Sequence, residues 1–187
     1  MKKLSVFYCG WGEHWKLGEL AHSRQKLLFE YSAEALARKL ELSPLHLKLR
    51  AEAYGRFPSY QHGLPGLIAD SLPDGWGLVL MDRLFRKQGI DLRDLSPLDR
   101  LAFLGERSMG ALSFEPPAPD FIQVRVLTLR ETATSIRNFI KGNPIDILPQ
   151  LVLMGGSPQG ARPKVIVDYD SRTGNLSSRV SAAQNPW

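Results

Sequence analysis

The sequence predicts an α+β fold, and three observations lead to it. Short apolar segments separated by glycine-containing turns follow one another near the N-terminus, which is typical of antiparallel strands. Apolar residues then recur at helical spacing, between residues that start and stop helices. The adjacent prolines Pro116 and Pro117 interrupt this pattern, because two prolines fit neither a helix nor a central strand. We therefore expect one unit over residues 1–115 and a second over 120–187.

The N-terminal segments predict a small antiparallel meander. Residues 3–9 form the apolar run of a buried strand, and the Gly-Trp-Gly sequence at 10–12 supplies a turn after it. Residues 15–20 and 26–31 are rich in aliphatic and aromatic side chains and predict two partner strands.

A short helix and a fourth strand are expected next. Ser32 is suited to be the N-cap, because its hydroxyl can accept a hydrogen bond from a free backbone N–H of the first turn. Glu34 places negative charge in that turn, and the helix is expected to continue to Leu40. The leucines of residues 45–49 alternate with polar residues, the period-two pattern of a half-buried strand.

The middle of the chain predicts two longer helices and a returning strand. Residues 78–88 place their apolar side chains on one helical face, and Gly89 ends that helix. Ser96 is an N-cap followed by proline at the first helical position, so a second helix is expected through Phe103. Residues 111–114 are then expected to return as a strand.

The remaining residues alternate between strand and helix patterns. We expect a strand over 124–129, helices over 132–141 and 145–153, and a strand over 165–169. The polar sequence at 170–175 is typical of a hairpin turn.

Composition indicates a soluble globular protein, with 43% hydrophobic and 23% charged residues. The apolar stretch from Leu4 to Cys9 is too short for the core of a signal peptide, and no segment approaches the roughly 18 apolar residues that span a bilayer. Cys9 is the single cysteine and can form no intrachain disulfide, so packing is its expected role. These features predict a cytoplasmic location.

The net charge of +5 could indicate an anionic partner such as nucleic acid. The basic residues are spread along the chain, however, and no run of five like charges occurs. Direct nucleic-acid contact is therefore not expected from charge.

Several isolated residues have simple structural interpretations. Asp70 and Asp74 could be paired carboxylates for acid–base or metal chemistry. We favour a turn in which Asp74 caps the helix over 78–88. The histidines lack metal-ligand spacing and are expected at the surface or at strand edges, and the tryptophans are expected to be core anchors. These residues are His14, His22, His46 and His62, and Trp11, Trp15, Trp76 and Trp187.

The most informative segment is the glycine-rich sequence Gly-Gly-Ser-Pro-Gln-Gly-Ala-Arg-Pro-Lys at 155–164, which precedes a predicted strand. Glycines allow backbone N–H groups to approach phosphate oxygens, and a nearby lysine can neutralise their charge. The segment lacks the Gly-Lys-Ser/Thr sequence of a Walker A loop. On spacing alone, an ordinary turn between two elements explains it as well as a phosphate loop does.

Three segments in order resemble the HipA family of serine/threonine kinases, the toxins of bacterial toxin–antitoxin systems. Residues 157–164 are similar to its Ser-x-x-Gly-Ala-x-x-Lys phosphate loop, residues 64–77 to a segment with Asp-x-Leu-Pro-Asp, and residues 96–112 to the helix and glycine turn that close its N-terminal subdomain. The resemblance covers nearly the whole chain. It implies a HipA N-terminal subdomain over 1–115 and the start of a kinase-like N-lobe over 120–187.

The resemblance also implies roles for individual residues. Ser157 corresponds to the autophosphorylation site, and the ATP-contacting loop corresponds to Gln159, Gly160, Ala161, Arg162, Pro163 and Lys164. The intact family uses ATP and Mg²⁺. Its catalytic base and metal ligands come from sequence beyond the matched region, so no catalytic or metal-binding residue is assigned and productive ATP binding is not expected.

Two functions follow as expectations. The first is a truncated HipA-like kinase toxin that is inactive by itself and meets a DNA-binding, HipB-like antitoxin. The second is a stand-alone N-terminal binding module that regulates a separate HipA-like kinase subunit.

Overall fold

The computed structural model describes residues 2–23, 26–73, 75–118, 127–142, 149, 151–152, 165 and 167–177. Contacts along the chain group these residues into two compact units. Unit 1 holds the described residues within 2–72 and 95–118, and unit 2 holds those within 73–94 and 127–177. The chain thus leaves unit 1 after residue 72 and returns to it at residue 95. The division of the chain into domains over 1–115 and 120–187 stays a prediction.

Unit 1 is built on a five-stranded sheet in which every neighbouring pair of strands is antiparallel. Its strands are β1 (Lys2–Tyr8), β2 (Trp15–Ser23), β3 (Lys26–Tyr31), β4 (Ala53–Tyr54) and β5 (Leu112–Glu115), in the spatial order β4-β3-β2-β1-β5. The predicted meander is confirmed, and the returning strand lies beside β1. The helices and the sheet together confirm the α+β fold class.

A β-bulge in β2 determines which side chains enter the core of unit 1. Val6 pairs with Gly18 and Phe7 pairs with Lys16, so Leu17 is an extra residue opposite β1. The extra residue shifts the alternation along β2, and both Leu17 and Leu20 are fully buried as a result. Other fully buried side chains of unit 1 are Val6, Phe29, Leu64, Ile68, Leu101 and Phe114.

Five α-helices have both ends within the described residues of the two units. They are α1 (Ala33–Arg38), α2 (Gly66–Ala69), α3 (Gly75–Lys87), α4 (Pro97–Leu104) and α5 (Leu129–Ile140). Single 3₁₀ turns lie at Gly10–Gly12, Ser59–Gln61 and Gly105–Arg107. Among the helices of the described ranges, none is long and apolar enough to cross a membrane.

Local capping signals start the helices where the sequence predicts. The Ser32 hydroxyl accepts a hydrogen bond from the Ala35 N–H at 3.0 Å and caps α1. In α4, the Ser96 hydroxyl accepts from the Asp99 N–H, and the Asp99 carboxylate accepts from the Ser96 N–H at 2.8 Å. This reciprocal pair is a capping box, which satisfies two N–H groups at once. Gly89 follows α3 with φ of 75°, as expected for a helix stop.

The strand predicted over 45–49 is wrong. Residues 42–47 form bends and turns, and the edge of the sheet is instead occupied by β4. Leu45 is 83% exposed, whereas Leu47 is buried. The Tyr31 hydroxyl donates to the Leu47 carbonyl at 2.7 Å, so a side-chain contact positions this segment rather than pairing between strands.

The prediction of a core role is wrong for Trp11 and confirmed for Trp15. Trp11 lies in the turn between β1 and β2 with φ of 57°, and it is 90% exposed. Trp15 is buried and stacks against Tyr8 at 4.9 Å between ring centroids. Trp76 is half-buried, and Trp187 lies outside the described residues.

Unit 2 brings α3 against α5. The Trp76 and Phe139 rings meet edge-to-face at 4.7 Å, and the Arg83 guanidinium lies 3.9 Å from the centroid of the same Phe139 ring. Such aromatic and cation–π contacts each contribute on the order of 1 kcal/mol. These contacts join α3, which lies before the chain returns to unit 1 at residue 95, with α5, which begins at Leu129.

A small sheet completes the described part of unit 2. Its strands are β6 (Leu127–Thr128), β7 (Asp168–Tyr169) and β8 (Asn175–Ser177), in the order β6-β8-β7. The hairpin turn predicted over 170–175 is confirmed, because β7 and β8 pair in antiparallel fashion. The helix predicted from residue 132 begins at Leu129, since Thr128 caps it through a capping box with Glu131. The helix predicted over 145–153 lies mostly outside the described residues.

We expect Ser96→Ala to lower the free energy of unfolding of unit 1 by about 1 kcal/mol, because the change removes the N-cap of α4. Urea denaturation followed by circular dichroism would measure the loss. Ser59→Ala is the matched control, since Ser59 is exposed and makes no side-chain hydrogen bond in the described part of the chain. Equal effects of the two changes would contradict the capping role.

Candidate functional site

The predicted phosphate loop lies outside the described residues. This applies to the predicted autophosphorylation site, Ser157, and to the predicted ATP contacts Gln159, Gly160, Ala161, Arg162, Pro163 and Lys164. Leu151 and Val152 before the loop are helical and buried, and the β7–β8 hairpin follows it. Phosphate binding and autophosphorylation at this loop stay predictions.

The carboxylates singled out from the sequence do not form a described acid–base pair. Asp70 is exposed at the end of α2, and Asp74, the predicted cap of α3, lies outside the described residues. Asp170 accepts hydrogen bonds from the Arg172 N–H and the Thr173 hydroxyl, both at 2.9 Å. The bond from the Arg172 backbone is the largest of the causes that lower the pKa of Asp170, so this side chain stays ionised and holds the hairpin turn.

Cys9, the single thiol, is placed for packing. Its sulfur lies 3.0 Å from the Ser113 hydroxyl across the β1–β5 edge of the sheet. Burial raises the pKa of the Cys9 thiol, which favours the protonated and less nucleophilic form. No group of three or more His, Cys, Asp or Glu side chains in the described ranges is arranged to hold a metal ion.

Unit 1 carries two clefts that share the segment 55–57. The first, the basic cleft, has a volume of about 490 Å³ and is lined by His22, Lys26, Leu27, Leu28, Ala53, Gly55, Arg56, Phe57, His62, Gly63 and Pro97. The second, the tyrosine cleft, has a volume of about 400 Å³ and is lined by Ser43, His46, Leu47, Tyr54, Gly55, Arg56, Phe57, Pro58, Tyr60, Gln61, Pro65, Gly66 and Leu67. Both volumes lie within the range of about 300–1,000 Å³ that is usual for ligand pockets.

The basic cleft lies where the edge of the sheet is left open. β4 pairs with β3 only through Phe29 and Glu30, so residues 26–28 of β3 have no strand partner on that side within the described chain. Arg56 has φ of 59°, a left-handed conformation that turns the chain away and ends the pairing. The short β4 therefore creates the cleft.

Gly55 allows close approach at the floor of the basic cleft. A Cβ built on Gly55 would lie 2.8 Å from Leu28 Cδ2 and 3.6 Å from the Leu27 carbonyl oxygen. The Leu27 carbonyl oxygen therefore lies near Gly55. In the described part of the chain it accepts no backbone hydrogen bond outside the regular sheet pairing.

The charge of the basic cleft is unbalanced. Two cations, Lys26 and Arg56, and two histidines, His22 and His62, line it, and no carboxylate is among its described lining residues. In the described part of the chain, none of these four side chains forms a hydrogen bond or an ion pair.

Several other cations of unit 1 have carboxylate partners. Lys2 pairs with Asp99, Lys3 with Glu19 at 2.7 Å, and Arg38 with Glu13 and Glu34. An excess positive potential therefore remains at the basic cleft.

The tyrosine cleft is bordered by aromatic hydroxyls with structural roles. The Tyr54 hydroxyl donates to the Lys48 carbonyl and the Tyr31 hydroxyl to the Leu47 carbonyl, both at 2.7 Å. Burial raises the pKa of Tyr31 to about 12, so its hydroxyl remains a donor at neutral pH. These bonds fix the segment over 42–49 beside the edge of the sheet. Tyr60 is 82% exposed.

The basic cleft was not predicted from the sequence. Its charged residues come from the ends of β2 and β3 and from the loop after β4, so they look evenly spread along the chain. The sequence signal that could have indicated it is the glycine at position 55, which is not specific.

Comparison with known proteins gives one match. A family model described as HipA N-terminal domain matches residues 11–115, more than half of the 187 residues. A search of curated proteins and a search of solved structures each found no match. The matched range contains β2 to β5 and all the residues of the basic cleft.

Proposed function

The chain belongs to the HipA N-terminal domain family, and from this premise we propose that it is the N-terminal portion of a HipA-like serine/threonine kinase toxin of a toxin–antitoxin system. The family match over residues 11–115 carries the proposal. The order of three family-like segments, ending with the phosphate loop at 157–164, supports it further. A DNA-binding, HipB-like antitoxin is the expected protein partner.

By itself, the chain is proposed to lack kinase activity. Phosphoryl transfer needs a base for the accepting hydroxyl, ligands for Mg²⁺ and a lysine on the phosphates, all positioned together. The resemblance assigns a phosphate loop to this chain but no base and no metal ligand. A loop without these partners gives little stabilisation to bound ATP and none to the transition state.

A stand-alone binding module is the second candidate. In this function the chain binds and restrains a separate HipA-like kinase subunit. Unit 1 favours it, because the unit has its own sheet and buried core together with a basic cleft whose cations are uncompensated. Such a unit can present a binding surface without any contribution from a kinase lobe.

The purified chain is expected to show no saturable Mg-ATP binding by isothermal titration calorimetry, and no phosphate on Ser157 after incubation with labelled ATP. Ser157→Ala and Lys164→Ala should behave like the unchanged protein in both assays. Saturable binding that Lys164→Ala abolishes, or labelling that Ser157→Ala abolishes, would show that the loop is functional in this chain.

Size-exclusion chromatography with purified partners separates the two candidates. The first predicts a complex with a HipB-like antitoxin encoded beside this chain. The second predicts a complex with a separate, intact HipA-like kinase and inhibition of its activity. If neither complex forms at micromolar concentrations, both candidates are contradicted.

A further inference from the structure

We propose that the basic cleft binds an acidic, extended peptide segment of another protein, which adds as a strand to the open edge of β3. The inference goes beyond the proposed function, because it names a site and a ligand chemistry on unit 1. It requires neither the phosphate loop nor any kinase activity.

The backbone of β3 supplies the first argument. Beyond Phe29, the strand continues to Lys26 without a partner on the side of β4 in the described chain, and Leu27 lines the cleft. Residues 26–28 make no backbone hydrogen bond outside the regular sheet pairing in the described part of the chain. An added strand would continue the antiparallel pairing that β4 begins at Phe29 and Glu30.

Charge complementarity supplies the second argument. Lys26 begins the unpaired stretch of β3 and Arg56 follows β4 closely in the chain. Both line the cleft together with His22 and His62. All four lack carboxylate partners within the described chain. Carboxylates of an incoming segment would supply the missing counter-charges.

Apolar side chains supply the third argument and favour a peptide over a nucleic acid. Leu27, Leu28, Phe57 and Pro97 line the cleft beside the cations and are only half-buried. Successive side chains of a strand point to opposite faces, so an alternating acidic and apolar segment can meet both kinds of surface. A DNA backbone would use the cations, but it has no alternating N–H and C=O groups with which to pair along a strand edge.

Fluorescence anisotropy with the full 187-residue chain tests the proposal. The probe is a fluorescein-labelled peptide of sequence Gly-Glu-Val-Glu-Val-Glu-Gly, and we expect saturable binding. A peptide with glutamine for glutamate should bind at least about tenfold more weakly, since it lacks the counter-charges. A peptide with proline for the central glutamate should also bind weakly, because proline has no N–H for pairing.

Matched protein variants locate the site. The double variant Lys26→Glu and Arg56→Glu should weaken binding of the glutamate peptide by about tenfold or more. The control, Lys48→Glu with Arg86→Glu, changes the net charge equally at exposed positions that line neither cleft, and it should bind nearly as the unchanged chain does. All four substitutions are at exposed side chains, and circular dichroism melting verifies folding. Hydrogen exchange should show added protection of the Leu27 amide in the complex, because the amides of successive residues in a strand point to opposite edges.

Several outcomes would overturn the proposal. They are absence of saturable binding up to millimolar peptide, equal weakening by the two double variants, and undiminished binding of the proline peptide. Tighter binding of a duplex DNA of equal charge through Lys26 and Arg56 would assign the cleft to nucleic acid instead. None of these results bears on the ATP and partner experiments above, so the two proposals can fail separately.

Discussion

Phe29→Ala is expected to lower the free energy of unfolding of unit 1 by about 3–5 kcal/mol. Phe29 lies in the middle of β3, opposite Leu20 of β2 and Tyr54 of β4, and its side chain is fully buried. Its ring meets the Tyr31 ring edge-to-face at 5.1 Å. Truncation removes this contact and leaves a cavity at a position where three strands meet, so the surrounding sheet has little freedom to collapse into it.

Native-state hydrogen exchange, read by mass spectrometry on peptides from β2 and β3, would measure this loss within unit 1. Leu45→Ala is the matched control, because Leu45 is also a large apolar residue but is 83% exposed. Its expected effect is within about 0.5 kcal/mol. A loss below about 1 kcal/mol for Phe29→Ala would mean that the centre of the sheet is not packed as described.

Gly18→Ala is expected to destabilise unit 1 by about 1–3 kcal/mol. A Cβ on Gly18 would lie 2.6 Å from Phe29 Cζ and would also press on the backbone carbonyl of Glu30. Neither neighbour can move easily, because the ring is buried and the carbonyl belongs to β3. The methyl group therefore forces the strands or the ring out of position.

The same exchange experiment measures the effect, and Gly66→Ala is the control. A Cβ on Gly66 would lie 3.3 Å from the Gln61 side-chain amide, which can move aside, and the residue is in the first turn of α2. Its substitution should be close to neutral or slightly stabilising. In a Phe29→Leu background Gly18→Ala should lower the free energy of unfolding by less, since the smaller side chain relieves part of the clash. An equal loss in both backgrounds would show that the Phe29 ring does not restrict Gly18.

Local signals in the sequence were sufficient for much of the fold. β3 has the bounds that its apolar pattern predicts, and the caps at Ser32 and Ser96 start their helices as expected. The two caps depend on hydrogen bonds between residues three positions apart, so their physical cause is contained in the segment itself. The same holds for Gly89, whose conformation ends α3.

Predictions failed where the outcome depended on distant residues. The alternating leucines of 45–49 have the period of a strand, but a strand needs an edge with which to pair. β4 takes that edge at Phe29 and Glu30, and the Tyr31 hydroxyl holds Leu47 in a turn instead. Trp11 is apolar by type, yet the left-handed turn between β1 and β2 directs it into solvent.

The amino-acid pattern alone was enough to predict the α+β class, the meander, the main helix starts and, through ordered segments, the resemblance to the HipA family, which the match over residues 11–115 confirms. Only the tertiary structure decided that α3 packs with α5 and that His22, Lys26, Arg56 and His62 line one cleft. Capping is set by near neighbours along the chain. A cleft and its potential depend on which distant segments the sheet brings together, and no single segment encodes that.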